Sequence, residues 1–317
     1  MNTSKITVIL LFLVATVFGQ QKITVEDIYS GAFRAKGMDE LQSLKNTDQY
    51  TVLNVDQASR SMQIDLYDFA TLKKVSNLID TKNHKELAEG IDSYTFDASE
   101  KKILIACNTN KIFRHSFTAD YFLYDITTKS LTKLFDFQVQ EPTFSPDGTK
   151  IAYAKENNLY VYDVASKKST AVTTDGKKNA IINGITDWVY EEEFAFVRAF
   201  DWSKDSKKLA YIRFDESQVP EFSMSIFKKD LYPQIETFKY PKAGEKNSLV
   251  SLHLYDVASK SNKEVNLGNY SDFYIARLKW TNDPNVLSAQ VLNRHQDNLD
   301  LIFVDGKTGA AKVAQGR

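Results

Sequence analysis

The chain has 317 residues, and its 40 lysines and arginines are balanced by 41 aspartates and glutamates, for a formal net charge of −1. Without a basic field there is no electrostatic basis for a nucleic-acid partner, so that class is excluded. The four histidines lack the spacing of a zinc site, and we predict neither a metal nor another cofactor. The single cysteine, Cys107, lies in the apolar run 103–107, which predicts a buried position in a strand.

The first 19 residues have the pattern of an export signal. Lys5 supplies the positive charge, residues 6–18 are almost all apolar, and Val17 and Gly19 fit the positions before a cleavage site. This apolar run is short for a membrane span, which needs about 20 residues. We therefore predict an exported chain that begins near residue 20. The absence of a possible disulfide pair favours a bacterial periplasm, and an uncleaved membrane anchor is the alternative.

A repeated pattern follows along the chain. Strand-like runs end in Tyr-Asp before a turn rich in Ser, Thr and Lys, at Asp68, Asp125, Asp163 and Asp256, with a weaker copy at Asp305. A second signature, Ser-Pro-Asp-Gly at 145–148 and Ser-Lys-Asp at 203–205, marks the beginning of two of these repeated units. Such units, repeated at about 40 residues or more, are typical of β-propeller blades.

These patterns predict an all-β fold, a partial β-propeller of about five blades, with short helices near residues 25–35 and around residues 187–194. The longest interval between Tyr-Asp pairs, from Asp163 to Asp256, predicts insertions that leave the regular blade. A β-sandwich is the alternative architecture, but the repeated blade signatures argue against it.

Residues 187–194 read Asp-Trp-Val-Tyr-Glu-Glu-Glu-Phe, three adjacent carboxylates inside an aromatic frame. The aromatic residues favour burial, so the carboxylates between them are expected to be held against the body of the protein and not to extend into solvent. Neighbouring carboxylates repel each other unless a cation lies between them, and a primary ammonium with three donors would suit that position. The alternative for such a run is a solvated helix face.

This segment, preceded by Gly-Ile-Thr at 184–186, closely resembles the double-Glu motif of the dipeptidyl peptidase IV family. Two further segments are similar to the family, Arg-His-Ser-Phe-Thr-Ala-Asp-Tyr at 114–121 and Tyr-Pro-Lys-Ala-Gly at 240–244. The resemblance extends from about Ile23 to the end of the chain. It implies an eight-bladed propeller, of which the chain would hold the N-terminal part, residues 20–317.

The resemblance also implies roles for individual residues. Glu192 and Glu193 would bind the free α-amine of a peptide, and Arg114 would hydrogen-bond the carbonyl of the peptide's first residue and brace the two carboxylates. A carboxylate pair that binds the N-terminal amine at a fixed distance from a nucleophile would place the bond after the second residue at that nucleophile. Four residues are expected to support the motif: Glu191, Asp187, Trp188 and Tyr190. His115 is interpreted as structural, because on a strand it would point away from its neighbour Arg114.

Members of the family are serine exopeptidases that release N-terminal X-Pro or X-Ala dipeptides, with the nucleophile in a separate α/β-hydrolase domain. No pair among the 12 glycines brackets a serine as Gly-x-Ser-x-Gly. We therefore expect the chain to lack catalytic residues, to be inactive alone, and to serve as the substrate-gating part of a longer enzyme. The alternative is a propeller that binds or scaffolds peptides without catalysis.

The segment 213–240 carries apolar residues outside the blade pattern, at Phe222, Met224, Ile226, Phe227 and Leu231. It resembles the arm that relatives use to form dimers. Apolar side chains on an extended arm favour a covering surface, so we expect a homodimer of the parent protein. The alternative is a loop that folds back on its own blade.

Overall fold

The computed structural model describes residues 22–35, 37, 40–268 and 270–316, so the predicted export signal lies outside the described residues. The described residues fall into two compact units, one that ends at Leu41 and one that begins at Gln42. The first contains helix α1 (Val25–Ser30), which Thr24 caps through its side chain and which ends at Gly31 with φ 84°. None of the helices in the described ranges is long and apolar enough to cross a membrane.

Apart from its short helices, the described chain is built from antiparallel sheets, which confirms the predicted all-β class. Its described residues form five sheets of four or five strands and one separate hairpin. The strands are β1 (Leu41–Ser43), β2 (Gln49–Asp56), β3 (Ser61–Asp68), β4 (Lys74–Asp80), β5 (Ser93–Phe96), β6 (Lys102–Lys111), β7 (Phe117–Asp125), β8 (Ser130–Lys133), β9 (Gln140–Phe144), β10 (Lys150–Lys155), β11 (Asn158–Asp163), β12 (Lys168–Ala171), β13 (Ile181–Asn183), β14 (Phe200–Trp202), β15 (Lys208–Asp215), β16 (Glu221–Ile226), β17 (Gln234–Lys239), β18 (Leu249–Asp256), β19 (Ser261–Glu264), β20 (Phe273–Trp280), β21 (Val286–Asn293), β22 (Leu299–Asp305) and β23 (Ala311–Gly316).

Four of the five larger sheets are meanders of consecutive strands: β1 to β4, β5 to β8, β9 to β12 and β20 to β23. The fourth sheet along the chain is irregular, with order β13-β15-β18-β19 and β14 paired to β15. Two insertions cause this irregularity, helix α2 (Trp188–Phe194) before β14 and the hairpin β16–β17 before β18. They lie in the long interval between Tyr-Asp pairs, where the sequence predicted insertions.

Hydrophobic clusters join each larger sheet to the next along the chain. Ile64 of the first sheet packs with Ile103 of the second, and Leu104 packs with Tyr153 of the third. Two further clusters connect the third sheet to the fourth and the fourth to the fifth. Cys107 is 2% exposed in the first of these interfaces, as predicted, and burial raises the pKa of its thiol to about 11. The sheets therefore pack face to face, as propeller blades do.

The Tyr-Asp repeat has a local structural cause. Each aspartate ends the third strand of its sheet and accepts a hydrogen bond from the backbone N–H three residues later, at 2.7 to 2.8 Å. The next residue along has a positive φ, as at Lys129 (φ 54°) and Gly309 (φ 73°). An aspartate favours such a turn because its side chain pairs with the local backbone.

We expect acid to weaken these turns. Hydrogen bonds from the turn lower the pKa of all five carboxyl groups, including those of Asp125, Asp163 and Asp256. An aspartate with a lowered folded-state pKa stabilises the fold above its unfolded value of 3.8, and this contribution is lost as the pH falls through the folded value. The melting temperature should therefore fall as the pH is lowered below about 4.

The control for this prediction is Asp163→Asn, which keeps an acceptor for the backbone N–H of Ser166 but cannot titrate. This variant should melt lower than the wild type at pH 7, and its melting temperature should change less between pH 5 and pH 3. An equal pH response in both proteins would contradict the assignment for this turn.

Candidate functional site

Helix α2 carries the three adjacent glutamates and is entered through a tight turn. Gly184 has φ +75°, and a Cβ atom there would lie 3.0 Å from Leu159 Cδ1, so glycine suits this position both in conformation and in space. Asp187 caps the helix by accepting a hydrogen bond from Tyr190 N at 3.0 Å. The helix ends at Ala195, whose φ of 55° is left-handed.

Two buried residues anchor the helix to neighbouring elements. The Tyr190 hydroxyl accepts a hydrogen bond from the backbone N–H of Ile275 in β20 at 2.9 Å. Asp187 accepts a second hydrogen bond, from Ser248 Oγ at 2.5 Å. Burial raises the pKa of Asp187, and these hydrogen bonds oppose the shift. The helix is therefore fixed from both sides.

Glu191 connects the helix to the loop that carries Arg114. Its side chain is fully buried, and its Oε1 accepts hydrogen bonds from the backbone N–H groups of His115, at 2.6 Å, and Ser116, at 2.9 Å. Its Oε2 has no hydrogen-bond partner in the described part of the chain. Because a buried carboxylate stabilises the N–H groups that point at it, Glu191 fixes the backbone next to Arg114.

The loop itself differs from the expectation. Residues 112–115 form a bend between β6 and β7, so Arg114 and His115 do not lie on a strand as predicted. The strand position expected for His115, and with it the expected direction of its side chain, was therefore wrong. The side chain of His115 is exposed, and its backbone N–H, not its imidazole, makes the contact with Glu191.

Arg114 and Glu192 form an ion pair, although 78 positions separate them in sequence. Arg114 Nε lies 3.0 Å from Glu192 Oε2 and 3.2 Å from Glu192 Oε1. The terminal amino groups of Arg114 have no hydrogen-bond partner among the described residues. Because the Arg114 side chain is 71% exposed, the pair contributes little to stability, and the guanidinium can bind a further acceptor.

Glu193 is placed differently from Glu192. Its side chain is exposed, and within the described ranges it has no hydrogen-bond or ion-pair partner. It is absent from the residues that line the cavity beside Arg114 and Glu192. The structure therefore brings together Arg114, Glu191 and Glu192, while the shared role expected for Glu192 and Glu193 stays a prediction.

That cavity has a volume of about 570 Å³ and a largely aromatic wall. Trp188 packs against Tyr240 with ring centroids 4.4 Å apart, and Phe222 and Phe238 of the hairpin β16–β17 line the same space. The sequence predicts only a supporting role for Trp188 and no site role for Phe222, Phe238 or Tyr240. The available signal was the Tyr-Pro-Lys-Ala-Gly match, which begins at Tyr240.

A second cavity, of about 470 Å³, lies next to the helix N-terminus and is lined by Asp187 and Glu216. Burial, followed by the neighbouring Asp187 carboxyl group, raises the pKa of Glu216 to about 7. The described residues contain no group of three or more His, Cys, Asp or Glu side chains that could hold a metal ion.

A family model described as "Dipeptidyl peptidase IV (DPP IV) N-terminal region" matches residues 97–316. This chain belongs to the dipeptidyl peptidase IV family. Its structure is also similar to the crystal structure of Porphyromonas gingivalis dipeptidyl peptidase 4, with a TM-score of 0.87 and 36% identity over 94% of this chain and 42% of that one. The predicted propeller fold of this dipeptidyl peptidase IV family member is thereby confirmed.

Two of the curated relatives within the family come from fungi. A probable dipeptidyl-aminopeptidase B of Emericella nidulans is 34% identical over 71% of this chain and 27% of its own length. The dipeptidyl aminopeptidase B of Saccharomyces cerevisiae is 29% identical over 90% of this chain and 36% of its own length. The chain thus spans between about a quarter and two fifths of the proteins that it matches.

Proposed function

We propose that this chain is the amine-recognition and substrate-gating part of a serine dipeptidyl aminopeptidase that releases X-Pro or X-Ala dipeptides. The observation that carries the proposal is the 3.0 Å contact between Arg114 and Glu192 at the edge of an open cavity. An ammonium group would bind the carboxylates of Glu192 and Glu193. The free N–H groups of Arg114 would then donate hydrogen bonds to the carbonyl oxygen of the same residue.

The charges agree with this arrangement. A peptide α-amine has a pKa near 8, so most of it is cationic at neutral pH and forms charge-assisted hydrogen bonds with carboxylates. Glu192 is already paired with one cation, so its negative charge does not destabilise the empty site. The helix is anchored through Tyr190 to Ile275 and through Asp187 to Ser248, so the carboxylates are held in place before the peptide arrives.

The test is turnover by the longer protein of which this chain is the proposed part. Gly-Pro p-nitroanilide should be cleaved, and acetyl-Gly-Pro p-nitroanilide, which has no ammonium, should be cleaved at least about tenfold less efficiently. Equal cleavage of both substrates would contradict amine recognition. Binding of free-amine peptides with no cleavage would instead favour a non-catalytic peptide-binding propeller.

Three further parts of the proposal concern the parent protein. The apolar run 6–18 supports export to a periplasm. The family resemblance supports serine chemistry supplied by a segment other than this chain, which would be inactive alone. The hairpin tip, with Phe227 and Leu231 73% and 86% exposed, supports a homodimer through the arm 213–240.

A further inference from the structure

A third cavity, of about 620 Å³, lies where the first strands of several sheets come together. It is lined by residues of β1, β5 and β9, the first strands of the first three sheets along the chain, and by residues of β14. It shares no lining residue with the cavity that contains Arg114 and Glu192. Its volume is in the range of small-molecule sites, about 300–1,000 Å³. It is therefore a separate compartment of a size that holds a small molecule.

Glu141 is directed into this cavity by a β-bulge. The register of β9 against β10 shifts between Ala152 and Ala154, where β9 contains one extra residue. Glu141 lies at this shift with a φ of 53°, which residues other than glycine rarely adopt. Pro142 follows it, and proline has no N–H group with which to continue the ladder. Because a bulge changes the direction of a side chain, the Glu141 carboxylate lines the cavity although its strand belongs to a regular sheet.

Two acceptors that line the cavity are unpaired. Among the described residues, neither the Glu141 carboxylate nor the Tyr121 hydroxyl has a hydrogen-bond partner, although Tyr121 is only 8% exposed. Burial raises the pKa of Glu141, and nearby Arg198 opposes this rise. Burial, followed by the Glu141 charge, raises the pKa of Tyr121, so the two groups lie close together. Since an unsatisfied buried polar group is costly, a ligand with hydrogen-bond donors would stabilise both.

Arg198 supplies the opposite charge. Its Nη1 donates a hydrogen bond to Thr143 Oγ1 at 3.1 Å, and Thr143 Oγ1 donates to the backbone oxygen of Glu141 at 3.0 Å. These hydrogen bonds place the guanidinium beside the bulge. In the described part of the chain, however, Arg198 and Glu141 form no direct ion pair. Two opposite charges that are held close together without pairing can each bind one end of a dipolar ligand.

The other carboxylates of this lining are already paired. Asp97 and Glu100 accept hydrogen bonds from backbone N–H groups, at 2.9 and 3.2 Å. Asp201 lies 2.8 Å from the ammonium of Lys279. Within the described ranges, Glu141 is therefore the carboxylate of this cavity that remains for a ligand.

We propose that this cavity binds a small zwitterion, a molecule with one free ammonium and one free carboxylate, such as a free dipeptide. The ammonium donates hydrogen bonds to Glu141 and to the Tyr121 hydroxyl, and the carboxylate accepts hydrogen bonds from Arg198. A free amino acid has the same two groups. Phe117 and Phe144 add apolar surface to the lining, which favours the dipeptide because it has more apolar surface to cover.

The test is calorimetric titration of the chain with the substitution Glu192→Ala, which removes the proposed amine site and leaves this cavity unchanged. Gly-Pro should bind at one site per chain. Gly-Pro-amide, which has no carboxylate, and acetyl-Gly-Pro, which has no ammonium, should each bind at least about tenfold more weakly. Weaker binding of glycine than of Gly-Pro would support the dipeptide, and equal binding would support a free amino acid at the same zwitterion site.

Further substitutions in the same background locate the site. Glu141→Gln and Arg198→Gln should each weaken Gly-Pro binding at least about tenfold. Tyr121→Phe removes only an unpaired hydroxyl, so the variant should melt as its parent does and bind Gly-Pro about threefold more weakly. Lys204→Gln is the matched control, because it removes an exposed positive charge from the same lining, and it should bind within about twofold of its parent.

Three outcomes would overturn the zwitterion site. They are equal binding of Gly-Pro and Gly-Pro-amide, equal losses in Arg198→Gln and Lys204→Gln, and no binding of Gly-Pro to the folded Glu192→Ala chain. None of them bears on amine recognition at Glu192, which is tested with the unaltered glutamate and a different cavity.

Discussion

Replacing Glu191 by alanine is expected to weaken binding of free-amine peptides by at least about tenfold, although this residue is fully buried. The change leaves the N–H groups of His115 and Ser116 without their acceptor. An unsatisfied buried donor costs about 1–3 kcal/mol. The loop would rearrange, and Arg114 would lose its position opposite Glu192. Calorimetric titration with Gly-Pro-amide measures the effect on binding, and thermal unfolding measures the effect on stability.

Glu191→Gln is the matched variant for this prediction. Its side-chain oxygen can still accept both N–H groups, so binding should stay within about threefold of the wild type, a loss of under 1 kcal/mol. A glutamine variant as impaired as the alanine variant would mean that the negative charge of Glu191 acts on the peptide. In that case its role in positioning the loop would be refuted.

The second large effect is expected at the carboxylates that would meet the ammonium. Glu192→Ala and Glu193→Ala should each lower kcat/KM of the longer protein for Gly-Pro p-nitroanilide by at least about tenfold, since a charge-assisted hydrogen bond contributes about 1.5–3 kcal/mol. The melting temperature should change little, because Glu193 is exposed and the partner of Glu192 is the exposed Arg114.

The acetylated substrate is the control for both variants. Acetyl-Gly-Pro p-nitroanilide has no ammonium, so its slow cleavage should be almost unchanged by either substitution. Equal losses for both substrates would show that these glutamates support folding or assembly. An effect of Glu192→Ala without one of Glu193→Ala would restrict amine binding to the residue that lines the cavity.

The sequence predicted those parts of the fold that depend on local patterns. The Tyr-Asp pairs mark strand ends because each aspartate closes a turn with the backbone that follows, as at Asp163 with Ser166. The insertions around helix α2 and the hairpin were visible as a long interval between such pairs. The propeller class followed from counting repeats, since each repeat can form its own sheet from neighbouring residues.

The parts of the site that sequence reasoning missed depend on contacts between distant elements. Glu191 was expected to support the motif, but its role as a buried acceptor for the backbone N–H of His115 follows only from the packing of the loop at Arg114 on the helix. The aromatic lining of the cavity arises in the same way, because only tertiary packing brings Phe222 and Trp188 to the same cavity. The loop at residues 112–115 lacks the proline or glycine that would have marked a break between strands.

The contact of Glu191 also has a mechanical meaning. The loop with Arg114 belongs to the second sheet and helix α2 to the fourth, so the hydrogen bonds to His115 and Ser116 bridge two sheets between which the third is placed in sequence. Those hydrogen bonds link the second sheet directly to the fourth, past the third. A hinge motion that separates these sheets must lengthen them, so the distance between Arg114 and Glu192 reports the relative tilt of three consecutive sheets.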